Sequence, residues 1–141
     1  MMGTNRQVLR RMELFKGLGR EEIAAIAAIM HPTQVKEGEV LTKAGDPAHA
    51  FYVILLGNYM VHFSDGHAFT LHKPGDFIGW AILVASSRYN GTSVALTDGE
   101  VLVMKTSDFM RLLQRNLAMG DKIMKTVSAQ QNNLRYTFCF K

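Results

Sequence analysis

The spacing of apolar residues changes twice along the chain. Ile23, Ile26 and Met30 recur at helical spacing, and Pro32 predicts that this helix ends near residue 31, because a residue before proline avoids helical backbone angles. The helical period is then lost until residue 107. The pattern predicts a short N-terminal helix at about residues 20–31, a β region at about 34–105 and C-terminal helices at about 107–134.

Short runs rich in β-branched and aromatic residues fill the β region, with Gly or Asp between them. Many short strands in one small domain favour a sandwich or a roll. Within this region, Asp65-Gly66 predicts a tight two-residue hairpin turn that pairs Ser64 with His67. The predicted strands are residues 40–41, 50–56, 59–63, 69–72, 92–96 and 101–104.

Two helices are predicted after the strands. Ser107 is suited to cap the first of them, at residues 107–117. In the second, at residues 121–134, the apolar residues Ile123, Val127 and Leu134 form a heptad-like stripe. Two interpretations of the stripe stay open: it packs back on the roll, or it carries homodimer contacts.

Composition limits the domain count and the class of protein. A chain of 141 residues with 48% hydrophobic side chains can bury one core, so we expect a single domain over residues 1–141. No apolar run approaches the roughly 20 residues that cross a bilayer, which predicts a cytoplasmic protein without membrane contact. The single cysteine, Cys139, cannot form an internal disulfide. The net charge is +4, but the basic residues are scattered, which is typical of solvated surface and does not indicate nucleic-acid binding.

The five histidines raise the alternative of a metal enzyme of the cupin type, since such enzymes share a small β-roll architecture. With Ser64 opposite His67, His62 and His67 share one face of the hairpin and His72 lies on the other, with no Asp or Glu to complete a site. No metal site is therefore expected. The chain also has no Gly-x-Ser-x-Gly turn and no paired carboxylates, so we expect a protein that is not an enzyme.

Six short motifs occur in an order that resembles the cyclic-nucleotide-binding domain family, of the type found in catabolite-activator-like regulators. The resemblance runs from Leu14 to about Val127. It implies a mainly β fold with flanking helices, a double-stranded β-roll or jelly roll. The matching motifs are Leu14-Phe15-x-x-Leu18 with Glu22-Ile23, Glu37-Gly38-Glu39-Val40-Leu41, Gly45-Asp46, Phe51-Tyr52-Val53-Ile54 with Gly57, Pro74-Gly75-Asp76-Phe77-Ile78-Gly79, and Phe109-x-x-Leu112-Leu113.

The resemblance also implies a phosphate-binding cassette after Gly79. In the family a glutamate there accepts a hydrogen bond from the ribose, a short helix presents its amides to the cyclic phosphate, and an arginine pairs with that phosphate. Here Trp80 replaces the glutamate and cannot accept a hydrogen bond. The arginine position falls on Asn90 when counted from residues 75–79 and on Tyr89 when counted back from residues 95–98, whereas Arg88 is reached from neither side.

Two hypotheses follow from an intact framework around an altered cassette. The first is a non-catalytic sensor or regulatory module that binds a cyclic nucleotide or another small anionic ligand, with Trp80 or Tyr89 able to stack on a flat ring. The alternative is a ligand-free interaction or dimerisation module whose pocket is filled by Trp80. Direct DNA binding is not expected, since no helix-turn-helix pattern follows the last predicted helix. The candidate ligand contacts are Gly79, Trp80, Ala81, Ile82, Arg88, Tyr89, Asn90, Gly91, Thr92 and Ser93.

Overall fold

A computed structural model describes the backbone of residues 2–79 and 88–138, and the side chains of residues 5–79 and 88–127. Eight strands and four α-helices occupy these residues. The elements in chain order are α1 (Met2–Arg11), a 3₁₀ helix (Glu13–Phe15), α2 (Arg20–Ala28), β1 (Met30–Val35), β2 (Val40–Thr42), β3 (Ala50–Leu56), β4 (Tyr59–Phe63), β5 (Ala68–Leu71), β6 (Phe77–Ile78), β7 (Gly91–Ala95), β8 (Gly99–Lys105), α3 (Thr106–Arg115) and α4 (Leu117–Phe138).

The strands form two four-stranded antiparallel sheets, in the orders β1-β8-β3-β6 and β2-β7-β4-β5. Side chains alternate between the two faces of each strand, so β3 contributes to two separate cores. Tyr52 and Ile54 face the second sheet, whereas Phe51 and Val53 face the helices. The predicted β-roll with flanking helices is confirmed.

The helices cover the outer face of the first sheet. Phe15 and Ile23 from the N-terminal helices join Phe109 of α3 and Ile123 of α4 in one buried cluster with the side chains of β3, β6 and β8. Burial of this many apolar side chains is the main stabilising contribution to the helical layer. No helix in the described part of the chain combines the length and apolar character needed to cross a bilayer.

The first predicted helix was too long. Helix α2 ends at Ala28, and Met30 already begins β1, where it pairs with Met104 of β8. Pro32 lies inside this strand opposite Leu102. Because β1 is at the edge of its sheet, a proline without an N–H group is tolerated there.

The predicted hairpin turn was one residue too short. His62 pairs with Ala68, and the N–H of Phe63 donates to the carbonyl of His67, so three residues form the loop. Gly66, with φ of 96°, supplies the left-handed position that such a loop requires. This change of register moves His67 to the face of the hairpin opposite His62. His72 then lies on the same face as His62, so the predicted grouping of the histidines is reversed.

Helix α3 begins at Thr106, so Ser107 lies in its first turn and is not the cap that we predicted. The N-cap residue is Lys105, with no hydrogen bond from its side chain. The hydroxyl of Thr106 instead donates to the carbonyl of Ala48 at 2.7 Å. The helix start is therefore fixed by a contact with the loop before β3, which local sequence does not reveal.

Candidate functional site

The side chains between the two sheets are fully buried at one end of the roll, which we call the filled end, and partly buried at the other. At the filled end, Ile54, Tyr59 and Val101 are fully buried. Two residues further along their strands, on the same inner faces, Tyr52 and Val61 are only partly buried. We call the end with the partly buried side chains the accessible end of the roll, and the segment from Arg88 to Ser93 lies there.

A buried pair of hydroxyl groups lies on the inner wall at this end. The Oγ1 of Thr42 donates to the carbonyl of Gly91 at 3.1 Å and lies 2.7 Å from the Oγ of Ser93. Since Thr42 has one hydroxyl hydrogen, Ser93 is the donor in the second contact. Ser93 thus holds β7 to β2, and it retains acceptor capacity rather than a free donor for an anion.

Tyr89 belongs to the framework rather than to an open stacking surface. Its hydroxyl donates to the carbonyl of Ala50 and accepts from the N–H of the same residue at 3.1 Å. Its backbone forms hydrogen bonds with Asp46 and Gly45. Burial raises the pKa of the Tyr89 hydroxyl, opposed by the Ala50 hydrogen bond and assisted by the charge of Asp46. The ring is buried, so the predicted role in stacking on a ligand does not fit this position.

Arg88 lies at the rim of the accessible end. Its side chain is exposed, and Nη1 donates to the carbonyl of Gly45 at 2.7 Å. Its backbone forms an isolated bridge with Pro47. This contact holds the guanidinium group, a planar cation that can bind an anion in a bidentate manner, beside the loop at Gly45.

The next three candidate residues differ in their surroundings. Asn90 is exposed, whereas the Oγ1 of Thr92 accepts from the N–H of Ala44 at 3.0 Å. Gly91 is buried, and a Cβ atom there would lie 2.8 Å from the ring of Phe63. Gly91 therefore allows a close approach of backbone to an aromatic ring, and Asn90 has the more accessible polar side chain.

Gly79 is held in a conformation that other residues rarely adopt. Its φ is 99°, and a Cβ atom would lie 2.9 Å from the Cβ of Phe51 and 3.1 Å from the carbonyl oxygen of Ala50. The start of the cassette is thus in direct contact with β3. Trp80, Ala81 and Ile82 lie outside the described residues, so the filling of the pocket by Trp80 stays a prediction.

Tyr52 lies at the accessible end, although the sequence-based list of candidate ligand contacts did not include it. Its hydroxyl donates to the carbonyl of Leu41 at 3.2 Å. Burial, together with the nearby Tyr89 and Glu39, raises the pKa of Tyr52 to about 12. The alternation along β3 was the available signal, because it places Tyr52 on the face opposite Phe51.

The exposed histidines of the hairpin do not come together. The Nδ1 of His67 lies 2.9 Å from Asp65 at the tip of the hairpin, while His62 is on the other face. Within residues 2–79 and 88–138, no group of three or more His, Cys, Asp or Glu side chains could hold a metal ion.

The predicted dimer stripe on α4 is divided by the structure. Ile123 and Val127 are buried in the core of their own chain, so they cannot form the surface of a dimer in this arrangement. Leu134 lies among residues whose side chains are not described. Among the side chains of α3 and α4 that the structure describes, as far as Val127, the large exposed apolar residues are Met110, Leu117 and Met124.

Comparison with known proteins supports one family. A family model described as "Cyclic nucleotide-binding domain" matches residues 32–116. The cAMP-dependent protein kinase regulatory subunit of Colletotrichum orbiculare is 32% identical over 106 residues, which cover 74% of this chain and 27% of that protein. The type II regulatory subunit of Drosophila melanogaster is 30% identical over 108 residues, covering 77% of this chain and 28% of that protein.

A similar relationship is found among solved structures. The N-terminal domain of a transcriptional regulator from Streptomyces coelicolor superposes with a TM-score of 0.75 and 27% identity, and the match covers 89% of this chain and 93% of that one. The chain spans little more than a quarter of the length of the two kinase regulatory subunits. The chain belongs to the cyclic nucleotide-binding domain family, as a β-roll domain of the regulatory and sensor type.

Proposed function

We propose that this domain is a non-catalytic sensor that binds a small anionic ligand at the accessible end of the roll and transmits occupancy to α3 and α4. A cyclic nucleotide is the first ligand to test, because both kinase relatives are named for dependence on cAMP. Arg88 provides the charge for a phosphate, and Asn90 provides an accessible amide beside it. The inner wall near Tyr52 offers partly buried aromatic surface for a base.

One chain of contacts carries the proposal. The backbone of Gly79, at the start of the cassette, packs against Phe51 so closely that no Cβ atom fits. The ring of Phe51 meets the ring of Phe109 edge to face, with centroids 5.7 Å apart and an interplanar angle of 77°. Phe109 is the buried residue of α3. We therefore expect a shift of the cassette backbone at Gly79 to displace Phe51, and through Phe51 the first turns of α3.

Such a path transmits a signal only if the ligand prefers one arrangement of the helices. A ligand with equal affinity for two arrangements shifts neither population, however tightly it binds. The sensor hypothesis therefore requires that binding and the placement of α3 and α4 are thermodynamically coupled. Phe109 is the residue at which this coupling is testable.

The first experiment is titration calorimetry of the chain with cAMP and with cGMP. We expect saturable binding of at least one nucleotide, weakened about tenfold or more in Arg88→Gln, because a hydrogen bond to a charged group contributes about 1.5–3 kcal/mol. Arg10→Gln is the matched control, since Arg10 is exposed on α1, outside the strands and turns that form the accessible end of the roll. Equal affinities of the two variants would contradict a role for Arg88.

Hydrogen exchange with and without saturating nucleotide tests transmission separately. We expect ligand to change the protection of amides in α3 and α4, and Phe109→Leu to reduce that change while leaving affinity within about threefold, since Phe109 lies in the helical core and not between the sheets. Unchanged helix protection in the unmodified, ligand-saturated chain would contradict the sensor mechanism even if binding is measured.

The second candidate function is the ligand-free dimerisation module. The exposed apolar face of α3 and α4 supports this hypothesis. Met110, Leu113, Leu117 and Met124 line an apolar groove of about 390 Å³. Contiguous exposed apolar surface marks many interaction sites, and the occupant that we propose is a second copy of the chain. Under this hypothesis Trp80 fills the pocket, so neither nucleotide binds, and Trp80→Glu gains affinity.

Sedimentation distinguishes this candidate. The dimer hypothesis predicts a concentration-dependent mass that Leu117→Asp reduces to that of a monomer. Leu56→Asp is the matched control, because Leu56 is 65% exposed and Leu117 is 76% exposed, and Leu56 lies in β3 at the filled end of the roll. A monomer at all concentrations would exclude the second candidate.

A further inference from the structure

Two kinds of contact hold α4 against the N-terminal helices. The first is an apolar seat, in which Met119, Ile123 and Val127 of α4 pack in the same buried cluster as Phe15 and Ile23. The second is an ion pair at the rim of this seat, between Glu22 of α2 and Lys122 of α4. The partners are 100 residues apart in sequence, so the pair joins the beginning of the domain to its last helix.

Glu22 has two roles at one oxygen atom. Its Oε1 accepts the N–H of Gly19 at 2.8 Å, which caps the start of α2, and it accepts the Nζ of Lys122 at 3.0 Å. The side chain of Glu22 is only 15% exposed, whereas that of Lys122 is 47% exposed. The carboxylate is therefore held by two donors and partly shielded from solvent, while Lys122 is the more exposed partner.

We propose that the pair between Glu22 and Lys122 is a releasable latch that sets the resting position of α4. The latch rests on the proposed function for its purpose, since it acts on the helix that receives the signal from the cassette. When Lys122 leaves, Glu22 keeps its hydrogen bond to Gly19, so α2 stays capped and no buried charge is stranded. The pair can consequently open and close without unfolding either helix.

The strength of the pair suits a latch rather than a permanent clamp. Partly exposed ion pairs change an equilibrium by about two- to fivefold, because solvent screens them and holding the side chains costs entropy. A change of this size alters how often α4 leaves its seat while the apolar cluster keeps the domain folded.

A second ion pair on α4 provides a matched control. Lys125 lies 3.2 Å from Asp121 within the same helix, and both side chains are well exposed. Replacing Lys125 by Gln removes the same charge as replacing Lys122 by Gln, one turn away, but breaks no contact between helices. Any difference between the two variants therefore reports the link to α2.

The test is hydrogen exchange of α4 amides in the full chain without ligand. We expect Lys122→Gln and Glu22→Gln each to speed exchange between residues 119 and 127 by about two- to fivefold, with exchange in β3 and β8 unchanged. Glutamine at position 22 can still cap α2, since its amide oxygen accepts the N–H of Gly19. The double variant should exchange no faster than the single variants, because the same contact is already lost.

Equal exchange in Lys122→Gln and Lys125→Gln, or additive effects of the two latch variants, would overturn the proposal. Faster exchange that extends equally to the strands would overturn it as well, since it would show a loss of global stability. The measurement uses no nucleotide, so a failure of ligand binding and a failure of the latch are distinguished. If the latch is present but no nucleotide binds, the position of α4 is controlled by something other than a nucleotide at the cassette.

Discussion

Tyr89 completes the edge of strand β3 by forming hydrogen bonds with both backbone groups of Ala50. Strand β6 ends at Ile78, opposite Tyr52, so the ladder does not reach Ala50. A phenol side chain from the far end of the cassette supplies the missing partner. Backbone groups buried without a partner are costly, so Tyr89 has a structural role that its position in the cassette does not suggest.

Replacing Tyr89 by Phe should destabilise the domain by about 1–3 kcal/mol, because it leaves the N–H and carbonyl of Ala50 without their partner. Tyr52→Phe is the comparison, since it removes one hydrogen bond of a partly buried hydroxyl and should cost about 0.5–1.5 kcal/mol. Urea denaturation gives both values from the midpoint at an unchanged slope. Equal midpoints for the two variants would show that water replaces Tyr89 at Ala50.

Replacing Gly79 by Ala should cost more than replacing Gly38 by Ala. Both glycines have positive φ angles, 99° and 86°, so both substitutions carry a backbone penalty of about 1–2 kcal/mol. Only at Gly79 does the new methyl group meet Phe51, at 2.9 Å, whereas nothing lies within 4 Å at Gly38. We expect a further loss of about 1–3 kcal/mol at Gly79, measured by thermal or urea unfolding. Similar losses at the two positions would mean that Phe51 moves aside freely.

Introducing Asp on α4 should destabilise the fold strongly at one position and hardly at all at another six residues away. Ile123→Asp buries an unpaired charge in the helical core and should destabilise the fold by more than about 3 kcal/mol. Leu117→Asp should change stability by less than about 0.5 kcal/mol, because the side chain is largely exposed. Circular dichroism during thermal unfolding measures both. A stable Ile123→Asp variant would show that α4 does not occupy this seat in solution.

Stability should fall at alkaline pH. Burial raises the pKa of Tyr52 from 10.0 to about 12, and it also raises the pKa values of Tyr59 and Tyr89. A group with a raised pKa in the folded state contributes stability that is fully present below pH 10 and is lost as the pH rises towards 12. Urea midpoints between pH 8 and pH 11.5 test this, and Tyr52→Phe should flatten the decline. A midpoint independent of pH over this range would contradict the burial of these hydroxyl groups.

The strands could be predicted where local pattern and tertiary position agree. The strands at residues 50–56 and 59–63 were predicted with their observed bounds. Both are long runs rich in β-branched and aromatic residues, a composition that favours strands whose side chains pack against a core. Pro32 misled the prediction of β1, since a proline ends a helix in isolation but is tolerated at a sheet edge. Which strand lies at an edge depends on topology, and the local sequence does not contain that information.

The site was predictable only in outline. Motif order located the cassette, yet the roles of Tyr89 and Ser93 depend on partners about 40 to 50 residues away, at Ala50 and Thr42. Counting from two flanking motifs therefore placed the arginine on Asn90 or Tyr89, whereas the structure brings Arg88 to the rim through Gly45. Contacts between strands distant in sequence decide which side of the chain faces the roll, and spacing alone does not.

Gly79 and Tyr89, which stand at the two ends of residues 80–88, both contact the chain at Ala50. Each end is fixed by its own contact with β3, independent of the residues that lie between. For a flexible loop closed at both ends, doubling its length costs only about 0.6 kcal/mol, so we expect insertions between these two contacts to change the stability of the fold little. If the proposed ligand binding is confirmed, we expect ligand preference to change through substitutions between Gly79 and Tyr89 that leave both contacts with Ala50 in place.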